Sequence, residues 1–165
     1  MSTEQAVVGG LALADEARDF GAFYRDEWRH VAGFCAALVR DATLGDELAQ
    51  ETFVRLYLRW RLVRDPRAYA FRIAANLAKA HVRRLMREQP HAEVMGGSTP
   101  ASDTELADAV SRLPARLQRV VWLRYYADLP ISTIATALRR PVGTVKRQLY
   151  DAHKLLADAL GDHDA

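Results

Sequence analysis

The sequence predicts an all-α protein of two small helical domains joined by a flexible linker, the second a helix-turn-helix. Apolar residues recur at helical spacing through most of the 165 residues, and no stretch alternates as a strand does. The pattern breaks across PHAEVMGGSTPAS, Pro90 to Ser102, where Pro90, Pro100, Gly96 and Gly97 sit among small polar residues. Beyond the break a short helix, a tight turn and a longer helix opening V-G-T-V-K-R follow one another. These signals divide the chain into a first domain over 15–88, a linker over 89–102 and a second domain over 103–160.

Residues 1–14 lack periodicity and are expected to be disordered, as are 161–165. Asp15 to Arg40 reads as helix, with a kink expected near Glu27 to Arg29, burying Phe20, Phe23, Tyr24, Val31, Phe34, Cys35 and Leu38. Thr43 with Asp46 resembles a capping box for a helix over Leu44 to Trp60. That helix turns Leu48, Ala49, Thr52, Phe53, Leu56, Tyr57 and Trp60 inward. Arg61 to Asp65 is a loop, and Asp65 caps a helix that Pro66 opens and Arg87 ends. In the second domain, helices run over Asp103 to Arg112, with Ser102 or Asp103 as cap, over Pro114 to about Ala127, and over Pro130 to Leu138. A turn at Arg139 to Pro141 leads to the last helix, Val142 to Leu160, with Val145, Leu149, Ala152 and Leu156 inward.

Net charge is only +2, but its distribution is uneven. Thr52 to Arg87 holds Arg55, Arg59, Arg61, Arg64, Arg67, Arg72, Lys79, Arg83, Arg84 and Arg87 against Asp65 alone. Arg112 to Arg147 holds Arg112, Arg116, Arg119, Arg124, Arg139, Arg140, Lys146 and Arg147 against Asp128. Two basic segments in a balanced chain point to two contacts with nucleic acid. Cys35 is the only cysteine, so no disulfide or cysteine-based metal site forms within the chain. The five histidines show no ligand spacing, so neither metal nor cofactor is expected. No nucleophile–base pairing or glycine-rich phosphate loop argues for an enzyme. Met1 to Gln5 carries no base, as a signal peptide would, and no apolar run approaches the ~20 residues that span a bilayer. A cytoplasmic protein without a membrane partner is expected.

Three surfaces carry the functional signal. At about 100° per residue, Arg72, Asn76, Lys79, Arg83 and Arg87 fall within about 80° of one another on the Pro66 helix. A solvated face usually mixes signs, whereas this helix has no acid between Pro66 and Arg87. Asn76 adds an amide able to bond a base edge, Arg84 a further cation, and Tyr69 lies near the helix start. Arg61, Leu62, Val63 and Arg64 in the preceding loop supply cations and apolar groups enough to enclose an extruded base. On the helix before it, Asp46, Glu47, Gln50 and Glu51 mix with Val54 and Leu58 on the face turned from the core, as on a partner surface. In the second domain, Val142, Gly143 and Thr144 keep the first turn of the last helix small. Lys146, Arg147, Gln148 and Tyr150 then project toward a groove, beside Arg140 of the turn.

LGDELAQETFVRLY, PRAYAFRIAANLAKAHVRR and LPARLQRVVWLRYYADLPISTIATALRRPVGTVKRQL, in that order, resemble an extracytoplasmic-function sigma factor of bacterial RNA polymerase over about Phe20 to Leu160. The resemblance implies that the domains correspond to the second and fourth sigma regions. D-E-L-A-Q-E-T-F from Asp46 matches the core-polymerase motif, I-A-A-N-L-A from Ile73 the minus-ten motif, and V-G-T-V-K from Val142 the start of the minus-thirty-five helix. The loop Arg61 to Asp65 then stands where the family captures a flipped minus-ten base. Partners implied are the clamp helices and flap of the large polymerase subunits, promoter DNA as duplex and single strand, and an anti-sigma protein. Ala75, Ala80, Thr133, Arg139, Arg147 and Asp151 depart from the family's usual Arg, Asp, Glu, Gly, Ser and Arg. The competing reading is a free-standing helix-turn-helix regulator, against which the acidic motif at Asp46 to Phe53 argues.

Overall fold

A computed structural model describes residues 3–88 and 104–161, with side chains from Arg18 onward. The described residues form helices and the turns between them. Helix α1 spans Thr3–Val39, α2 Ala42–Tyr57 and α3 Pro66–Glu88, with a 3₁₀ turn at Trp60–Leu62. Helix α4 covers Thr104–Ser111 and α5 Ala115–Val121, which continues as a π-helical turn over Trp122–Tyr126. Helices α6, Ile131–Leu138, and α7, Val142–Gly161, complete the chain. The linker 89–102, its capping candidates Ser102 and Asp103, and residues 162–165 of the expected tail lie outside the described residues.

Five expectations about local structure need correction. Helix α1 starts at Thr3, not Asp15, and runs unbroken past Glu27 to Arg29. Its first turns hold Glu4, Gln5, Ala6, Leu11 and Ala12 and no proline, so propensity outweighs the Gly9–Gly10 pair. Helix α2 is capped by Asp41, whose Oδ1 accepts from the Leu44 amide at 3.0 Å, rather than by Thr43. A carboxylate one residue before the helix outranks a threonine inside its first turn. Arg61 and Leu62 belong to the 3₁₀ turn, not to an irregular loop. At the far end α7 includes Gly161, one residue into the stretch expected as tail.

Helices α1, α2 and α3 pack round Phe34, Phe53, Leu56 and Phe71. The approach of α1 to α2 is close: a Cβ on Gly45 would lie 2.6 Å from that of Ala36. Asp65 Oδ1 accepts from the Ala68 amide at 3.0 Å and starts α3 as expected. In the second domain Leu117, Val120, Leu123, Leu129, Ile134 and Val145 are fully or almost fully buried.

The two cores are continuous with each other, because α6 and the π-turn lie against α3 and α1. Tyr126 sits directly on Gly33 of α1, where an added Cβ would overlap its ring and hydroxyl. Arg67 of α3 donates to the Ala127 carbonyl at 2.9 Å, and Arg72 to the Thr136 carbonyl at 3.2 Å. Both acceptors close a helical segment: Ala127 follows the π-turn and Thr136 lies in the last turn of α6. Cations there add a donor to carbonyls at a helix end and meet the negative end of its dipole. The Glu27 carboxylate, 2.9 Å from Arg67 Nε, holds that side chain on the α1 side.

Candidate nucleic-acid interface

The outer face of α2 is built by elimination: Gly45, Ala49, Thr52, Phe53 and Leu56 turn into the core. Asp46, Glu47, Gln50 and Glu51 are therefore exposed, with Val54 and Leu58 open by 56% and 77%. Glu51 pairs with Arg55 at 2.6 Å. Tyr57, expected inside, is 55% exposed while its ring edge meets Phe20, with centroids 4.9 Å apart. Phe20 and Phe23 fill the inner space with Trp60 instead, at 5.2 and 5.4 Å. Tyr57 thus joins Val54 and Leu58 in an apolar strip beside the carboxylates.

After α2 the chain turns sharply, and Leu62 projects with 79% of its surface open. Val63 behaves differently, half-buried against the core. Arg61 and Arg64 are exposed on either side. Along α3, the buried set Ala70, Phe71, Ile73, Ala74 and Ala78 leaves Asn76, Lys79, Arg83 and Arg84 outward. Arg72 is half-buried, since α6 covers it, and its guanidinium also lies 5.6 Å from the Tyr69 ring centre. Like charges crowd this face. Lys79 is held below the usual ammonium range by Arg83 first, then by Arg119, burial and Arg140.

The third surface is the first turns of α7. Val145 and Leu149 anchor the helix, and Val142, Gly143, Thr144, Lys146, Arg147 and Tyr150 are exposed. A Cβ at Gly143 would meet nothing within 4 Å, so packing inside the chain does not require a glycine there. Gln148 is half-buried and accepts from Arg140 at 2.9 Å, tying the turn to the helix. Arg139 in that turn has φ 51°, and the amides of Arg139 and Arg140 bond to Thr136 and Ala135 at 3.3 and 2.9 Å. This is the usual left-handed helix stop with a side chain where glycine is cheapest. Among the described residues no group of His, Cys, Asp and Glu could hold a metal, and no helix is long and apolar enough to cross a membrane.

Sequence reasoning missed Tyr57, Arg67 and Arg119. Arg67 stands one residue after Pro66, outside the basic stripe, and its contact depends on how the domains meet. Arg119 was visible only as one more base on α5.

Two family models match the chain. Residues 23–88 match the family model for sigma-70 region 2, and residues 103–156 match that for sigma-70 region 4. The ECF RNA polymerase sigma factor SigL of Mycobacterium tuberculosis is 30% identical over 166 residues, covering 92% of this chain and 93% of its own. SigW of Bacillus subtilis, another ECF RNA polymerase sigma factor, is 26% identical over 175 residues, covering 90% of each. Among solved structures, the sigma factor RpoE of Bartonella quintana, in complex with the anti-sigma factor NepR, superposes with a TM-score of 0.73. It is 17% identical and covers 87% of this chain and 98% of its own. CnrH, in complex with the cytosolic domain of CnrY, gives 0.68 at 22% identity, with 96% and 97% covered.

Proposed function

The chain belongs to the ECF RNA polymerase sigma factors, and from that premise we propose which of its surfaces meets which part of the transcription machinery. As a sigma factor it directs core RNA polymerase to promoters. The outer face of α2 docks on the core enzyme: Asp46, Glu47, Gln50 and Glu51 meet basic clamp helices while Val54, Tyr57 and Leu58 bury apolar area. The first turns of α7 read the minus-thirty-five duplex through Val142, Gly143, Thr144, Lys146, Arg147, Gln148 and Tyr150, positioned by Arg140. Residues 15–88 and 103–160 are then the two promoter-engaging units, and 89–102 is the tether that lets them span the promoter.

The observation that supports a role in melting is the exposed amide of Asn76 among Lys79, Arg83 and Arg84, beside the projecting Leu62. Cations alone would suffice for duplex. An amide and an open apolar side chain add what an unstacked base needs, hydrogen bonds to its edge and a surface to rest on. Tyr69 and Arg72 complete that surface once α6 moves off α3, and Val63 supports Leu62 from the core side. Arg61 and Arg64 hold the strand's phosphates. The protein itself performs no catalytic step. It works in the cytoplasm, and an anti-sigma protein covers these faces until release.

The test is permanganate footprinting of a promoter bubble formed by reconstituted holoenzyme, on promoters found by sequencing run-off transcripts. Asn76→Ala and Leu62→Ala should each lose reactive thymines while copurifying with core enzyme like the wild type. A normal bubble in both variants would overturn the strand-capture assignment.

A further inference from the structure

Where α3 passes the end of α1 and the start of α5, the two domains enclose a cleft of about 400 Å³. One wall is apolar and made of small side chains, Ala75, Ala78 and Val82 of α3 with Ala115 opposite. Arg40, Lys79, Arg83 and Arg119 line it as well, with Leu38, Ser111 and Gln118, and no carboxylate does so among the described residues. Arg40 donates from a terminal nitrogen to Asp108 Oδ1 at 3.4 Å, an ion pair outside the cleft lining, whereas its Nε is buried with no partner. The cations come from both domains and press on one another. Burial, then Arg140 and Arg83, hold Arg119 below its usual range, just as Arg83 and Arg119 do for Lys79.

Cations usually separate into solvent or pair with acids; here the fold gathers four round a concavity, and of them Arg40 alone has a carboxylate beside it among the described residues. A ligand that fits must be anionic, multivalent enough to touch α3 and α5 together, and small. We propose that this cleft is a binding site for a small phosphorylated anion of the nucleotide or oligophosphate class, bridging Lys79 and Arg83 of the first domain to Arg119 of the second. Guanidinium forks suit phosphate oxygens, and the alanine and valine wall offers a flat apolar surface to a base. Because the site exists only while the domains are packed together, its ligand favours that arrangement by mass action. Lys79 and Arg83 would then be withdrawn from promoter DNA. That consequence rests on the promoter reading above; the binding itself does not.

The experiment is calorimetric titration of the full chain with ATP, tripolyphosphate and adenosine, without magnesium. About 150 mM salt confines electrostatic reach to roughly 8 Å. One equivalent of ATP should bind with Kd below about 1 mM, a modest affinity. Ala115→Glu puts a carboxylate at an exposed first helical position, where acids are tolerated, and should weaken binding about tenfold or more by repulsion. Ala157→Glu makes the same change of charge on the exposed side of α7, outside the cleft, and should leave Kd within about twofold. Arg119→Gln should weaken it as Ala115→Glu does. Equal affinity for ATP and tripolyphosphate would show that the phosphate chain is what binds, and tighter ATP that the apolar wall takes the base; both support the site. Adenosine binding as well as ATP, no saturation at one equivalent, or equal losses in Ala115→Glu and Ala157→Glu would overturn it. Neither polymerase nor promoter enters the measurement, so its failure would leave the sigma assignment intact.

Discussion

Gly33 is the most direct handle on how the two domains meet. Its Cα faces the Tyr126 ring with no room for a side chain, so Gly33→Leu must displace that ring or part the domains. Overpacking a filled site costs about 1–3 kcal/mol, which shifts the packed-to-parted ratio roughly 5- to 150-fold. The same change should strengthen α1 itself, since glycine inside a helix is worth about 1 kcal/mol less than a good former. The two effects have opposite signs, so a damaged fold is separable from parted domains. Small-angle scattering is the assay. The packed chain should have a radius of gyration near ~15 Å for its length. Gly33→Leu should raise it while far-UV circular dichroism keeps or gains helix. Tyr126→Ala should open the domains too, by removing the ring that Gly33 receives. Scattering curves for both variants superimposable on the wild type would refute the claim that this contact seats one domain on the other.

Three further outcomes follow from single sites. Glu47→Lys with Glu51→Lys should weaken copurification with core polymerase by like-charge repulsion, while losing the Arg55 pair and setting a like charge beside Arg55 lowers stability by no more than about 1 kcal/mol in urea titration. Gly143→Ala should raise stability by up to about 1 kcal/mol, because nothing in the chain opposes the new Cβ, yet weaken binding to a minus-thirty-five duplex in a gel-shift titration. Burial pushes the Cys35 thiol up to about 12 from 9.0, so the folded state keeps a proton that the unfolded chain loses. Stability should therefore fall as pH rises above 9.0 by about 1.4 kcal/mol per unit from this group, and the deficit of Cys35→Ala against wild type should narrow over that window.

Periodicity was enough to place α3, α6 and α7, because each has one apolar stripe and a punctuating residue, Asp65, Pro130 or Pro141, beside it, whereas for α2 the stripe was found but the cap was not. It was not enough for the start of α1, where residues 3–14 are helical without an apolar stripe for periodicity to find. Tyr57 shows another limit. At helical spacing it belongs with Phe53 and Trp60, but Phe20 and Phe23 of α1 already fill that space, and only the tertiary arrangement ranks three aromatic rings for one site. The exposed residues of the candidate surfaces were legible for a simple reason: a one-signed or acid-and-aliphatic face is conspicuous once the core stripe is subtracted. The Arg72 contact was not, since its acceptor is a backbone carbonyl 64 residues away that has no signature in side-chain chemistry.

The packing of the domains also gives a physical reason for one departure from the family pattern. Ala75 stands where arginine is usual, and it is 3% exposed on the face of α3 that the second domain approaches. An arginine there would drive a long charged side chain into the cleft wall, beside Lys79 and opposite Arg119, and add a further cation to a group already under mutual repulsion. Alanine removes both the bulk and the charge. With Ala78 it keeps the α3 wall of the cleft small and uncharged, while Arg67 and Arg72 reach carbonyls at the ends of the π-turn and α6. Ala80 needs no such account. It is exposed, so the aspartate usual at that position is replaced without leaving a buried donor unpaired. If α3 also meets promoter DNA as proposed, closing against the second domain and opening onto DNA draw on the same helix, and small residues at Ala75 and Ala78 serve the first while Lys79 and Arg83 stay available for the second.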